Sequence, residues 1–274
     1  MPIVSSCTIL CRMLFLVFFF IGLLVGSFLN VVIARLRTAE TILGRSYCRS
    51  CRKGIAWYDN IPLLSYIILF GRCRYCRERI SVRYFTVEAV TGVLFAAIAF
   101  RFLDPGSFVS WLETVLYLGM AAFAVVISMY DAKYFEIPMS IMWAMIVWIL
   151  AGLVSVDFST ASAVGIAESR LHMGMVAGLA AFAFFHFLSA VSRERWMGYG
   201  DAYVAFAVGL ALGVQTFWSI VAAFVLGAIY GIAAIFLDKK RLSSQVPFAP
   251  FLFLGWLAVL FFGEYLAAGL VILH

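Results

Sequence analysis

Two aspartates, Asp131 and Asp201, combine a residue type and a setting that suggest chemistry in this 274-residue sequence. Asp131 ends a long apolar stretch in "FAVVISMYDAKYFEIP", and Asp201 opens another in "WMGYGDAYVAFAV". A carboxylate beside a membrane-length apolar segment is costly to insert, so such acids are candidates for function. Two carboxylates in one partly dry site share a proton, so one can act as general base toward a water while the other acts as general acid. The chemistry open to such a pair is cleavage of an amide bond by an activated water.

A structural alternative explains the same two acids without chemistry. Asp201 could cap the start of its helix, and Asp131 could pair with Lys133 or Arg193. Both interpretations stay open on the spacing alone.

Three further residues could support a site. Gly198 and Gly200 precede Asp201 and, lacking side chains, would let an extended peptide backbone approach the carboxylate, although they could equally be turn residues. Glu88 lies about one turn inside another apolar stretch, "VRYFTVEAVTG", where it could support a site or make a structural contact at the membrane boundary.

The elements that position these acids are apolar helices. Hydrophobic residues make up 65% of the chain, charged residues 12%, and the mean hydropathy is +1.05, which lies outside the range of soluble proteins. We therefore predict an all-α polytopic membrane protein. Gly22 and Gly26, in the first apolar run, would allow another helix to approach closely. Spans of about 20 residues are the length that crosses the hydrocarbon, and about eight are predicted, the sixth shorter than the rest: 12–34, 84–103, 111–130, 137–156, 172–191, 202–213, 216–237 and 248–273.

The basic residues predict the orientation of these spans. If the N-terminus lies outside, 17 of the 20 Lys and Arg residues fall in the four inside segments 35–83, 131–136, 192–201 and 238–247. This distribution follows the positive-inside rule and places both acids at the cytoplasmic face. Anionic lipid beside that face accounts for the net charge of +6, so no nucleic-acid partner is needed.

The first inside segment contains four cysteines, Cys48, Cys51, Cys73 and Cys76. They form two C-x-x-C pairs with 21 residues between them, close to the spacing of four-thiolate zinc sites. Disulfides are rare in the reducing cytosol, so a structural metal, with zinc favoured, is the leading interpretation, and a redox-active dithiol is the alternative. The predicted organisation is a first transmembrane helix (1–34), a cytoplasmic tetracysteine loop domain (35–83) and a seven-helix membrane core (84–274).

Several stretches together resemble the type IV prepilin peptidases, a family of membrane aspartic peptidases and N-methyltransferases. They occur in the family's order over most of the chain: "GSFLNVVIARL", the double C-x-x-C with "WYDNIPLLSYIILFGRCRYC", "RISVRYFTVEAVTG", "DAKYFEIP", "GYGD" and "VPFAPFLFLG". The resemblance implies that Asp131 and Asp201 are the catalytic aspartates and that the four cysteines bind the metal. It also implies cleavage of type IV prepilins or type II secretion pseudopilins after a glycine, followed by N-methylation from S-adenosylmethionine at the bacterial inner membrane.

This chain departs from the family pattern at three places. Met139 stands where an acid is common, Ala202 and Tyr203 stand where Val-Lys is usual, and Ala249 replaces a glycine. No G-x-G-x-x-G stretch marks a methyl-donor pocket, which we expect between the metal loop and the membrane. The functional alternatives are a peptidase without methyltransferase activity, a membrane thiol–disulfide oxidoreductase that uses the C-x-x-C pairs, and a non-catalytic scaffold or transporter.

Overall fold

Long helices dominate the computed structural model. It describes residues 3–37, 41, 44, 46–160, 169–237 and 246–271. In the first and last helices, side chains are described from residue 13 onward and up to residue 263. The described residues contain isolated β-bridges but no β-strand, which confirms the all-α prediction. Two 3₁₀ turns, Trp57–Asn60 and Gly213–Gln215, accompany nine helices in these residues: α1 Ile3–Arg35, α2 Leu64–Ile68, α3 Val82–Phe102, α4 Phe108–Tyr134, α5 Met139–Thr160, α6 Arg170–Ser192, α7 Tyr199–Leu212, α8 Thr216–Phe236 and α9 Ala249–Val271.

Eight of these helices, all except the five-residue α2, lie at the positions predicted for spans. Within the described residues, six helical stretches are long and apolar enough to cross a membrane, and one of them, Tyr199–Phe236, is α7 and α8 joined through the 3₁₀ turn. The apolar part of α9, Ala249–Gly263, is shorter. The chain is thus a multi-pass membrane protein, and the count of eight spans stays a prediction.

The chain divides into two compact units, Met1–Val126 and Ile127–His274. In the first unit α1 packs along α3. A Cβ on Gly22 would lie 2.8 Å from the Gly92 Cα, and one on Gly26 would lie 2.8 Å from the Glu88 Cα. The two backbones therefore approach at the small residues that the sequence predicted. The predicted division into a first helix, a loop domain and a membrane core, at 34/35 and 83/84, stays a prediction.

In the second unit α7 is the central helix. It packs against α5, α6, α8 and α9, and six of its apolar residues are buried: Ala202, Val204, Ala205, Ala207, Val208 and Leu210. With 14 residues and a rise of about 1.5 Å per residue, it is roughly 21 Å long, shorter than the roughly 30 Å of hydrocarbon. A short helix that is apolar on every side is stable only inside other helices. Asp201, in its first turn, is consequently held by a scaffold of four neighbours.

Candidate active site

Asp131 lies in the last turn of α4, where its side chain is buried with 5% of its surface exposed. Its Oδ2 accepts a hydrogen bond from the backbone N–H of Ala249, the first residue of α9, at 3.3 Å. The first N–H groups of a helix have no partner within the helix, so a carboxylate placed there satisfies one of them. The start of α9 thus fixes the Asp131 carboxylate.

Asp201 is the third residue of α7 and is 7% exposed. Its Oδ2 accepts a hydrogen bond from the backbone N–H of Gly198, the N-cap residue, at 3.2 Å. In a capping box, the side chain of the third helical residue accepts from the N-cap backbone N–H, and the N-cap side chain accepts from the backbone N–H of that third residue. Asp201 makes the first of these bonds, and Gly198 has no side chain to make the second. The structural alternative for Asp201 is therefore partly correct, because the residue does stabilise the start of its helix.

Asp131 and Asp201 interact electrostatically, and neither forms an ion pair within the described part of the chain. Asp131 is the charged group that acts on Asp201. Among the described side chains, neither Lys133 nor Arg193 forms the ion pair with Asp131 that the structural alternative required, and the Lys133 ammonium donates instead to the Tyr134 hydroxyl at 2.7 Å. Two buried carboxylates that interact, with no ion-pair partner among the described side chains, are a setting in which one proton can be shared.

The glycines before Asp201 have different surroundings. A Cβ on Gly200 would lie 2.8 Å from Ile137 Cδ1, so a larger residue would push α7 away from the segment that joins α4 to α5. A Cβ on Gly198 would meet no atom closer than Asp201 Oδ2, at 3.8 Å. Gly200 therefore keeps the start of α7 close to the segment that follows Asp131. Gly198 contributes its backbone N–H, and its predicted role in substrate approach stays a prediction.

The three departures from the family pattern also have defined places. Met139 begins α5 and is exposed. The Tyr203 ring lies 5.8 Å from the Trp143 ring and 5.3 Å from the Phe182 ring, which places an aromatic contact where the family pattern has a lysine. Ala249 is fully buried and reaches Asp131 through its backbone, so the side chain there is not what the carboxylate contacts. Sequence reasoning missed this N–H, because a backbone donor leaves no residue-type signal.

The four predicted metal ligands are brought together. The Sγ atoms of Cys48, Cys51, Cys73 and Cys76 all lie within 4.8 Å of one another, and those of Cys48 and Cys76 are 3.7 Å apart. All four cysteines are free of disulfides. Zn–S bonds of 2.3 Å in a tetrahedron give an S···S edge of about 3.8 Å, so the thiolates fit a tetrahedral metal ion.

Two backbone turns of the same design hold the thiols. Cys48 N–H donates to the Lys53 carbonyl and Arg52 N–H to the Cys48 carbonyl; the equivalent bonds in the second turn run from Cys73 to Glu78 and from Arg77 to Cys73. Arg52 and Arg77 take the same left-handed conformation, with φ of +60° and +59°. This repeated geometry shows that each C-x-x-C pair is a preformed knuckle.

The thiols of the two knuckles differ in acidity. A hydrogen bond from the backbone of Cys51 lowers the pKa of Cys48 to about 7. A hydrogen bond from the backbone of Glu78 also favours the Cys76 thiolate, but burial and hydrogen bonds with the other three thiols outweigh it and raise the pKa of Cys76 to about 12. Cys48 is therefore readier than Cys76 to ligate as a thiolate, and a bound cation would favour ionisation of Cys76.

Glu88 supports the loop that precedes α3, and its predicted support of the aspartate site stays a prediction. Its Oε2 accepts a hydrogen bond from the backbone N–H of Leu63 at 2.8 Å, and the Ser27 side chain bonds to the same carboxylate. Leu63 has φ +59° and ψ −47°, a conformation that costs free energy for a branched residue. Glu88 thus ties a strained loop residue to α1 and α3, within the first unit.

The fold and site define a class: a multi-pass helical membrane protein with a paired-aspartate site and a tetracysteine cluster. The family comparisons agree with this class. Residues 20–102 match the bacterial peptidase A24 N-terminal domain, and residues 118–232 match the type IV leader peptidase family. The chain belongs to the type IV leader peptidase family, which confirms the resemblance found in the sequence.

Curated relatives extend the match over most of the chain, and each is a prepilin leader peptidase/N-methyltransferase by name. The protein from Pseudomonas putida is 30% identical over 92% of this chain and 92% of its own length. That from Burkholderia pseudomallei (strain 1026b) is 31% identical over 89% of this chain and 84% of its own. That from Myxococcus xanthus is 36% identical over 80% of this chain, although the match covers 63% of its own length. No solved structure matches the chain.

Proposed function

We propose that this chain is a bifunctional enzyme that cleaves the leader of a type IV prepilin or type II secretion pseudopilin after glycine and then N-methylates the new N-terminus. The observation that best supports the cleavage is that two buried carboxylates on separate helices, Asp131 and Asp201, interact electrostatically, with no ion-pair partner for either among the described residues. The names of the relatives support both activities and the substrate class.

In the proposed mechanism the two aspartates share one proton. The ionised carboxylate takes a proton from the attacking water, while the protonated one donates to the carbonyl oxygen of the scissile bond. On collapse of the tetrahedral intermediate, the protonated carboxylate donates to the leaving amine and the ionised one takes a proton from a hydroxyl of the gem-diol, so the pair ends with one shared proton, as it began. The N–H groups of Ala249 and Gly198 keep one oxygen of each carboxylate fixed, which limits rotation of both side chains during the reaction.

Conservative substitution of each acid tests the assignment. Asn can still accept the backbone hydrogen bond of Asp131 or Asp201 but cannot act as a base, so Asp131→Asn and Asp201→Asn should insert and fold while losing at least roughly 10²–10⁴-fold in cleavage rate. The matched control is Asp157→Asn, because the Asp157 carboxylate also accepts backbone N–H bonds, from Arg170 at 3.1 Å and Leu171 at 2.9 Å. Cleavage of a prepilin in proteoliposomes by either dyad variant at the wild-type rate would refute the dyad.

The cysteine cluster is proposed to hold structural zinc. Zinc would be bound by Cys48, Cys51, Cys73 and Cys76 and would clamp a loop that is too small to bury a core of its own. The thiol–disulfide alternative is less well supported, because four mutually close thiols in two preformed knuckles suit a single cation better than a redox pair. Metal analysis of purified protein separates the two: one zinc per chain is expected, and redox-titrating cysteines without metal would favour the oxidoreductase.

For the methyl donor, S-adenosylmethionine, two buried polar atoms of the first unit fit its amino-acid end. Asn30 Oδ1 and Arg83 Nε are buried and have no partner among the described residues, while Asn30 Nδ2 donates to the Tyr84 carbonyl at 2.9 Å. Asn30 Oδ1, a hydrogen-bond acceptor, suits the ammonium group of S-adenosylmethionine, and Arg83 Nε, which carries an N–H, suits its carboxylate. When bound, the donor would supply the methyl group for the new N-terminus.

Binding of S-adenosylhomocysteine, measured by calorimetry on the full-length protein, tests this placement. We expect Asn30→Ala or Arg83→Ala to weaken binding at least tenfold and Asp201→Asn to leave it unchanged. Unchanged binding in both pocket variants would place the donor elsewhere without affecting the peptidase assignment.

The proposed location is the bacterial inner membrane, with the aspartates at the cytoplasmic face. Lys133 lies at the end of α4 beside Asp131, and Arg193 and Arg195 lie between α6 and α7, shortly before Asp201. This distribution agrees with the positive-inside rule for a cytoplasmic boundary. The proposed functional segments are the first helix, the tetracysteine loop domain and the membrane core at the boundaries predicted from the sequence.

A further inference from the structure

The short helix α2 turns an apolar face outward from the tetracysteine loop. Leu64, Ile67 and Ile68, at helical spacing, form this α2 face, and each side chain is at least half exposed. Phe70, two residues after α2, extends it, with 88% of its surface exposed. None of these residues belongs to a predicted span, so their exposure is not explained by a transmembrane helix.

The opposite side of α2 is held firmly by the protein. The Ser65 hydroxyl is buried, accepts from the Ile61 N–H and donates to the Tyr58 carbonyl, both at 2.9 Å. The Tyr66 ring packs 5.5 Å from the Phe85 ring of α3. The aliphatic side chains therefore cannot turn inward by rotation of α2 without breaking these contacts.

The backbone around α2 reinforces this orientation. Leu63 and Phe70, on either side of the helix, have φ of +59° and +50°, a conformation that bulky residues rarely adopt. At Phe70 this conformation places an aromatic ring almost wholly outside the protein. Strain of this kind persists where surrounding structure imposes it, and it is concentrated at functional surfaces.

The contacts of α2 also place it at a definite depth. Tyr66 lies beside Phe85, and Leu63 is bonded to Glu88, so α2 lies level with the first two turns of α3. Glu88 is six residues into α3, roughly 9 Å along the helix from its start at Val82. An interfacial helix buries its apolar face about 5–10 Å into the boundary between headgroups and acyl chains. Since α3 is one of the membrane-length helices, the depth of α2 along it matches the depth of an interfacial helix.

We propose that the α2 face is a membrane-docking surface that inserts into the leaflet at the start of α3 and binds anionic phospholipid there. The charges agree with this occupant, because Arg72, Arg77 and Arg79 follow α2 in sequence and are exposed. Exposed arginines beside an apolar face are the combination that attracts anionic headgroups. The docked loop holds the tetracysteine cluster against the bilayer, and this role is independent of the proposed peptidase and methyltransferase activities.

Photo-crosslinking in a defined bilayer tests the proposal without disturbing the fold. A diazirine side chain is introduced at position 68 or 70 of the full-length protein, which is reconstituted in nanodiscs of phosphatidylcholine and phosphatidylglycerol, and lipid adducts are identified by mass spectrometry. Position 93, an exposed residue in the middle of α3, serves as the lipid-facing standard, and Asn60, an exposed polar residue of the 3₁₀ turn, serves as the control.

We expect adduct yields at positions 68 and 70 within about threefold of the yield at position 93, a yield at least tenfold lower at Asn60, and preferential labelling of phosphatidylglycerol. Absence of lipid adducts at 68 and 70, with normal labelling at 93, would overturn the proposal. Adducts with an added prepilin or with a second copy of the chain in place of lipid would also overturn it, by assigning the face to a protein partner. Equal labelling of the two lipids would refute the role of the arginines.

Discussion

Replacing Gly209 with alanine tests whether the contact between α6 and α7 positions Asp201. A Cβ on Gly209 would lie 2.5 Å from the Gly178 Cα and 2.7 Å from the Gly178 nitrogen. Carbon atoms pack at about 3.5–4.0 Å, so the two backbones must separate by roughly 1 Å. Because both atoms belong to backbone, no side-chain rotation can relieve the clash, and α7 must move.

The movement should reach the carboxylate. Asp201 is eight residues before Gly209, roughly 12 Å along the same short helix, which is too rigid to absorb the shift locally. A misplacement of about 1 Å at a catalytic group can cost roughly 10²-fold in rate, and overpacking costs about 1–3 kcal/mol of stability. We therefore expect Gly209→Ala to lower kcat for leader cleavage about 10- to 100-fold, with a smaller change in KM.

The assay is steady-state cleavage of a prepilin in proteoliposomes, paired with thermal unfolding of the detergent-solubilised protein. Gly231→Ala is the matched control, since it makes the same change in the neighbouring helix α8, where an added Cβ would meet nothing within 4 Å. Wild-type kcat and Tm in Gly209→Ala would refute the view that this helix contact sets the position of Asp201. Equal losses in both variants would point to a general effect of alanine instead.

Three further outcomes follow from the described contacts. Cys73→Ser should remove one of four ligands and lower bound zinc to well under half of the wild-type amount by metal analysis, whereas retained stoichiometry would contradict a four-thiolate site. Glu88→Ala should speed hydrogen exchange around Leu63 about tenfold or more, while Glu88→Gln, which still accepts the N–H, should restore protection; equal exchange in both would show that the bond is unimportant. Ala249→Gly keeps the N–H that reaches Asp131, so its cleavage rate should stay within about threefold of wild type, and a larger loss would mean that the methyl group matters.

Much of the architecture could be predicted because it depends on periodicity and composition. Apolar runs separated by basic loops predict membrane helices, and the eight helices other than α2 lie where these runs are. The closely packed glycines of α1 were also visible, since a glycine in an apolar helix is a recognised sign of close approach. The cysteine spacing likewise predicted a cluster, because two C-x-x-C pairs suit one tetrahedral cation.

By itself the sequence determined which residues have suitable chemistry: two acids at helix ends, four thiols and a membrane-embedded chain around them. Only the tertiary structure decided what each of them contacts, because those contacts join residues far apart in the chain. Ala249 reaches Asp131 across 118 positions through a backbone N–H, a donor that every residue except proline possesses and no residue type announces. The use of Glu88 to hold a strained loop residue and the outward face of α2 depend in the same way on how α1 and α3 meet the loop, which local sequence patterns do not encode.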